Sequence, residues 1–132
     1  MNVDSQIRRQ AREAALAVLF SNEFPSDAPF ETPSDPYAIS LVDGVRTDKA
    51  RIDDLLGKAS VHWRVGRMGL VDRNVLRIAV WELLQGVPVG VAINEALEVA
   101  RRFGDVESAA FVNGVLDAVA RVVSGPEGGS VD

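Results

Sequence analysis

Between about Asp4 and Asn22, Ile7, Ala11, Ala14, Ala15, Val18 and Leu19 recur at helical spacing, so the chain opens on a helix with one apolar face. The period then breaks. Residues 21–35 (SNEFPSDAPFETPSD) hold three of the six prolines, which predicts a surface loop tacked down by Phe24 and Phe30. Ser34 or Asp35 next caps a helix with Pro36 in its first turn and Leu41, Val42 and Val45 on its inner face. Gly44 and the Thr47-Asp48 cap signal mark a break before a third helix, lined by Ile52, Leu55, Leu56 and Ala59. Residues 60–70 read as a turn region around Trp63.

Val71 to Leu76 (VDRNVL) reads as a helix start in which Asp72 caps and Val71 meets Leu76 as a hydrophobic staple. This fourth helix buries Leu76, Ala79, Val80 and Leu83, and Gly86, Pro88 and Gly90 end it. A fifth, from about Val91, buries Ile93, Leu97 and Ala100 and closes at Gly104 in a left-handed cap. A sixth starts near Asp105 and carries Val112, Val115, Leu116 and Val119 to about Val123. Residues 124–132 (SGPEGGSVD) offer nothing to bury and are expected to form a disordered tail. No stretch alternates as a strand does. The class is therefore all-α, a single domain over residues 1–123 whose short connections set neighbouring helices antiparallel.

With 132 residues, 47% of them hydrophobic, the chain has enough apolar material for a core. Zero Cys excludes disulfides, thiol nucleophiles and Cys-ligated metals, and the single His (His62) excludes His clusters and a second catalytic imidazole. The opening MNVDSQIRRQ lacks the apolar core of a secretory signal, and no stretch approaches the roughly 18 apolar residues of a membrane span, so no membrane partner and a cytoplasmic location are expected. The net charge of −5 is unevenly spread: residues 1–22 carry three Arg against two acids, and residues 23–54 eight acids against three bases. Twelve of the fourteen bases are Arg, which suits bidentate phosphate contacts and stacking on bases, although an Arg-favouring composition accounts for it equally.

Little else suggests chemistry. Glu95 and Glu98 share a helix face without a His or third acid nearby, which reads as a solvated face rather than an acid/base or metal pair. His62 beside Trp63 is either a base-stacking or a capping group. No catalytic constellation, cofactor loop or metal site emerges. Arg8, Arg9 and Arg12, however, cluster near a helix N-terminus, away from the apolar stripe, where the helix dipole favours anions and opposes their charge. RNA phosphate would relieve that conflict, since Arg pairs with phosphates and stacks on unpaired bases. Pairing of Arg9 with Glu13 and solvation of the others is the second reading, and the residues alone leave both open.

Three blocks then carry a resemblance: RRQAREAALAVLF (Arg8 to Phe20), VDRNVLRIAVWELL (Val71 to Leu84), and VPVGVAINEALEVARRFG (Val87 to Gly104) followed by FVNGVLD (Phe111 to Asp117). In order and spacing, over about residues 5–120, the chain resembles the NusB family of bacterial transcription antitermination factors. The resemblance implies a NusB-like fold of two packed helical bundles in a single domain, and a non-enzymatic role without cofactor or metal. Its expected partners are boxA-type single-stranded RNA of nascent ribosomal transcripts, the ribosomal protein NusE and the transcription elongation complex. A homodimer that covers the Arg face is a further expected form. On the same resemblance the RNA-binding residues are Arg8, Arg9, Arg12, Arg73, Phe103, Glu107 and Phe111, and Asp72 and Glu82 meet the protein partner. Core packing of Phe103 and Phe111 is the competing reading for both. Gln10 and Ala110 stand where many members carry a base. Two other readings remain: a protein-interaction or self-associating module without direct RNA binding, and an isolated NusB-like domain related to a ribosomal RNA cytosine methyltransferase.

Overall fold

The computed structural model describes residues 3–24, 32–60 and 64–130. Among them there is no strand: α1 (Val3–Ser21), α2 (Pro36–Thr47), α3 (Lys49–Ala59), a 3-10 turn (Val65–Arg67), α4 (Leu70–Leu84), α5 (Val89–Phe103) and α6 (Ser108–Ser130) carry the fold. The all-α class expected from the periodicity is the class observed.

Local chemistry explains most boundaries. The Asp35 carboxylate accepts from the backbone N–H groups of Tyr37 and Ala38 at 2.9 and 3.0 Å, and Pro36 occupies the first turn, so α2 starts where a capped, φ-restricted pair dictates. Asp48 serves two helices at once: its N–H donates to the Gly44 carbonyl and its carbonyl accepts from Ile52. At the head of α6, the Asp105 carboxylate accepts from the Glu107 N–H at 2.9 Å while Ser108 Oγ accepts from the Asp105 N–H at 3.0 Å. These reciprocal bonds set the start at Ser108, slightly later than expected.

Four details depart from the expected pattern. α4 begins at Leu70 behind Gly69 without a side-chain cap, so Asp72 lies inside the first turn, where it complements the helix dipole instead of capping. α5 begins at Val89 behind Pro88, which places Gly90 within it. Gly104 is not left-handed: it sits at φ −91° and ψ −168°. It is needed for space, because a Cβ there would lie 2.3 Å from Ser108 Oγ and 2.8 Å from the Ala100 carbonyl oxygen. Gly86 is the one described residue with positive φ, at 91°, and turns the chain from α4 toward α5. Rather than ending near Val123, α6 continues through Ser130, across Pro126 and three glycines that do not favour a helix. Residues 131–132, Phe30, His62 and Trp63 lie outside the described residues.

α4 is the hub. Its run Val75, Leu76, Ile78, Ala79, Val80 and Leu83 is buried nearly all round, as a helix surrounded by others must be, and it packs against every other α-helix. α1, α2 and α4 pack mutually on one side, while α4, α5 and α6 pack mutually on the other, with α3 against α6. The two packed bundles that the resemblance implied are present, and they share α4. Gly44 does not break α2; it lets α2 approach the Trp81 indole so closely that a Cβ would fall 2.1 Å from a ring carbon.

Candidate nucleic-acid interface

The buried residues of α1 are Ala11, Arg12, Ala15, Leu16, Val18 and Leu19. The buried face is therefore rotated from the Ile7, Ala11, Ala14 edge that the apolar stripe suggested, and Ile7 is 43% exposed. Arg12 shares the inner face with Leu16 and Leu19. Its Nε and Nη2 donate to the Glu82 carboxylate at 3.0 and 2.7 Å, and the Tyr37 hydroxyl donates to the same group. Exposure is 4% for Arg12 and 1% for Glu82. Burial opposes the charge of Arg12, but the hydrogen bonds and the carboxylate of Glu82 outweigh it and hold the guanidinium above its ordinary pKa. Neither Arg12 nor Glu82 is presented to solvent. This corrects their expected exposure, and the cause is position on the helix: both sit where an apolar residue would pack.

Arg9 is half-buried and clamped to α5. Its Nε and Nη2 donate to the two carboxylate oxygens of Glu95 at 3.0 and 2.8 Å, and Glu95 also accepts from Arg12 Nη1 at 3.4 Å. The Arg9 hydrogen bonds hold the Glu95 carboxyl below its ordinary range, against burial. Glu95 is thus no solvated twin of Glu98, which pairs with Arg101. Glu13, the partner expected for Arg9, pairs with Arg102 instead. Arg8 alone of the three is exposed, with its guanidinium carbon 4.6 Å from the Tyr37 ring centroid. Arg8 and Tyr37 border a groove of about 880 Å³ that runs between the head of α1, the start of α2 and the α4–α5 turn.

A second ionic group ties the end of α1 to α3 and α4. Arg73, with a side chain 12% exposed, donates through Nε and Nη2 to Glu23 at 3.1 and 2.8 Å. Asn74 donates to the same oxygen at 3.0 Å, and buried Arg77 forks onto Asp53 at 2.8 Å through both Nε and Nη2. Burial pushes the Glu23 carboxyl up, but Arg73 and Asn74 bring it below its ordinary value. Arg73 is therefore engaged inward, unlike the free cation its place in the sequence suggested.

Three of the remaining expected residues meet at the start of α4. Asp72, Glu107 and Phe111 line one cleft of about 260 Å³ together with Arg67. Glu107 is exposed and Phe111 is half-buried against the core. Phe103 is 44% exposed, with the Arg102 guanidinium carbon 5.4 Å from its ring centroid, so the core reading fails for it and holds in part for Phe111. Asp72, assigned to a protein partner, shares its cleft with two residues assigned to RNA. Among the described residues no group of His, Asp and Glu side chains is arranged to hold a metal ion, and no helix is long and apolar enough to cross a membrane.

Sequence reasoning missed Tyr37, Glu23 and Asp53, and read Glu95 as a solvated side chain. For Arg12 and Glu82 a signal existed, since Arg12 lies four and seven residues before Leu16 and Leu19, and Glu82 lies three residues after Ala79 and next to Leu83. For Arg9 and Glu95, 86 residues apart, none did.

Comparison with known proteins agrees with this architecture. Residues 9–121 match the model of the NusB family. The transcription antitermination protein NusB of Sorangium cellulosum is 49% identical over 127 residues, covering 86% of this chain and 91% of that protein. That of Bdellovibrio bacteriovorus is 43% identical over 128 residues, covering 86% and 95%. Among solved structures, T. maritima NusB superposes with a TM-score of 0.77 at 37% identity, covering 86% of this chain and 90% of that one. A structure of antitermination factors NusB and NusE in complex with dsRNA gives 0.75 at 28% identity, covering 89% and 98%. A family match across all six helices, with relatives of this identity aligned over nearly their whole length, leaves one assignment: the chain belongs to the NusB family.

Proposed function

We propose that the protein is a non-enzymatic transcription antitermination factor of the cytoplasm that binds boxA-type RNA of nascent ribosomal transcripts together with the ribosomal protein NusE. The observation that carries this reading is the head of α1, where exposed Arg8 and half-buried Arg9 are held in place by Tyr37 and Glu95. A guanidinium offers more N–H donors than the two Glu95 engages, so Arg9 keeps an edge for phosphate while its orientation is fixed in advance. Phe103 offers an exposed ring, Glu107 an acceptor for base amino groups and Phe111 a half-buried ring, while Arg73, bonded to Glu23 and the Val65 carbonyl, braces the same end of α4. Asp72 is the accessible acid for a basic partner, whereas Arg12 and Glu82 support the site from within. The solved NusB and NusE complex with dsRNA supports the same pairing of partners in a relative.

The direct test is RNA binding by Arg8→Ala/Arg9→Ala at several salt concentrations. Arg12 stays in place, because its removal would strand Glu82. Affinity should fall, and the salt slope should shrink by roughly 0.7 for each single-strand phosphate no longer paired. Unchanged binding with helicity intact would remove the site assignment. A protein that dimerises but ignores both RNA and NusE would instead be a self-associating module.

A further inference from the structure

The groove at the head of α1 is larger than an Arg–phosphate contact requires, at about 880 Å³. Its floor is rigid. Tyr37 is anchored at both ends, by its backbone N–H on the Asp35 cap and by its hydroxyl on Glu82, and the Arg12 guanidinium carbon lies 5.8 Å from its ring centroid. Arg8 lies over that ring yet remains exposed, so a planar cation is held as a shelf at the mouth of the groove. Ile7 and Val91, 43% and 47% exposed, give the walls apolar surface, and exposed Gln85 brings an amide that both donates and accepts.

The charges in the lining choose between the parts of a nucleotide. Asp4, Asp35 and Glu95 border the same space as Arg8 and Arg12, so the lining has no surplus of positive charge to hold a phosphate inside it. A base is neutral, presents a π-face to the guanidinium, suits apolar walls and carries edge groups that an amide can bond. We propose that this groove is a nucleotide-binding site that takes one unpaired base of the bound RNA, stacked on Arg8 above Tyr37 with its edge at Gln85. The inference rests on the RNA-binding function proposed above and adds a base-accepting site to a phosphate-binding helix.

The test uses the full chain with saturating NusE and a set of boxA-type RNAs, each with a single abasic position. With the wild-type protein, one abasic position should lower affinity by about tenfold or more. Arg8→Lys keeps the charge but removes the planar stacking face, so it should bind intact RNA more weakly with the same salt slope. The critical abasic RNA should then cost it nothing further. Tyr37→Leu, which removes the ring beneath Arg8, should copy Arg8→Lys. If no abasic position matters to the wild type, or if Arg8→Lys loses as much as the wild type at every position, the base site is overturned while RNA binding stands. If the wild type binds no intact RNA, the function proposed above fails and takes this site with it.

Discussion

Removing Arg12 or Glu82 alone would strand the other charge, because their exposures are 4% and 1%. Loss of one member of a buried pair typically costs about 3–5 kcal/mol. Arg12→Met should therefore lower the urea unfolding free energy by about that much, while exposed Arg8→Ala should change it by less than about 0.5 kcal/mol. Equal effects would mean that Arg12 is not buried in solution. Tyr37 adds a pH signature. Burial, then the Glu82 hydrogen bond, pushes its hydroxyl up to about 12, against an ordinary value of about 10. The folded state thus holds this proton more tightly than the unfolded chain. The stability this provides is complete below about pH 10 and lost as pH rises through about 12. Tyr37 is the chain's single tyrosine, so Tyr37→Phe should flatten this part of the alkaline fall in Tm, and the wild type's phenolate absorbance should titrate late. A tyrosine titrating at its ordinary value would contradict the buried contact. The residue types of Arg12 and Glu82 had pointed outward, whereas their helical positions pointed inward; position decided, because each found the other as a partner.

Elements were more legible than site residues wherever the signal was local. The Asp35–Pro36 start of α2 follows from two adjacent side chains, and it is observed as expected. Glycines were harder, because the same residue serves a backbone turn or a close approach, and only the fold distinguishes them. Gly86 is the turn, Gly104 and Gly44 are approaches. Gly44→Ala should cost about 1–2 kcal/mol, since a Cβ 2.1 Å from the Trp81 indole puts overpacking in the upper part of the usual 1–3 kcal/mol, above the gain of about 1 kcal/mol in helix propensity. Gly57, on the exposed side of α3 with nothing within 4 Å of where a Cβ would stand, gives the control. Gly57→Ala should raise stability by about 0.5–1 kcal/mol. Denaturant midpoints for the two variants check both signs. If Gly44→Ala is neutral, α2 and α4 do not cross as closely as the Trp81 approach requires.

At the scale of the whole molecule, a net charge of −5 gives weak long-range attraction for RNA, and the bases at the head of α1 are few and partly compensated by Glu95. A basic ribosomal partner would supply what the chain lacks. RNA and NusE should then strengthen each other's binding by one common factor, as linkage requires. Asp72→Lys should reduce NusE docking and the partner-dependent gain, while binding to RNA alone stays level or rises; competition titrations would show a loss of RNA binding instead if Asp72 reads a base. The measurement that bears most directly on the proposed function is a titration of labelled boxA-type RNA, with and without saturating NusE, into the wild type and Arg8→Ala/Arg9→Ala. RNA should bind the wild type more tightly with NusE present, and the double variant should bind it more weakly in both conditions. An RNA affinity unaffected by NusE and by the loss of both arginines would contradict the proposed function.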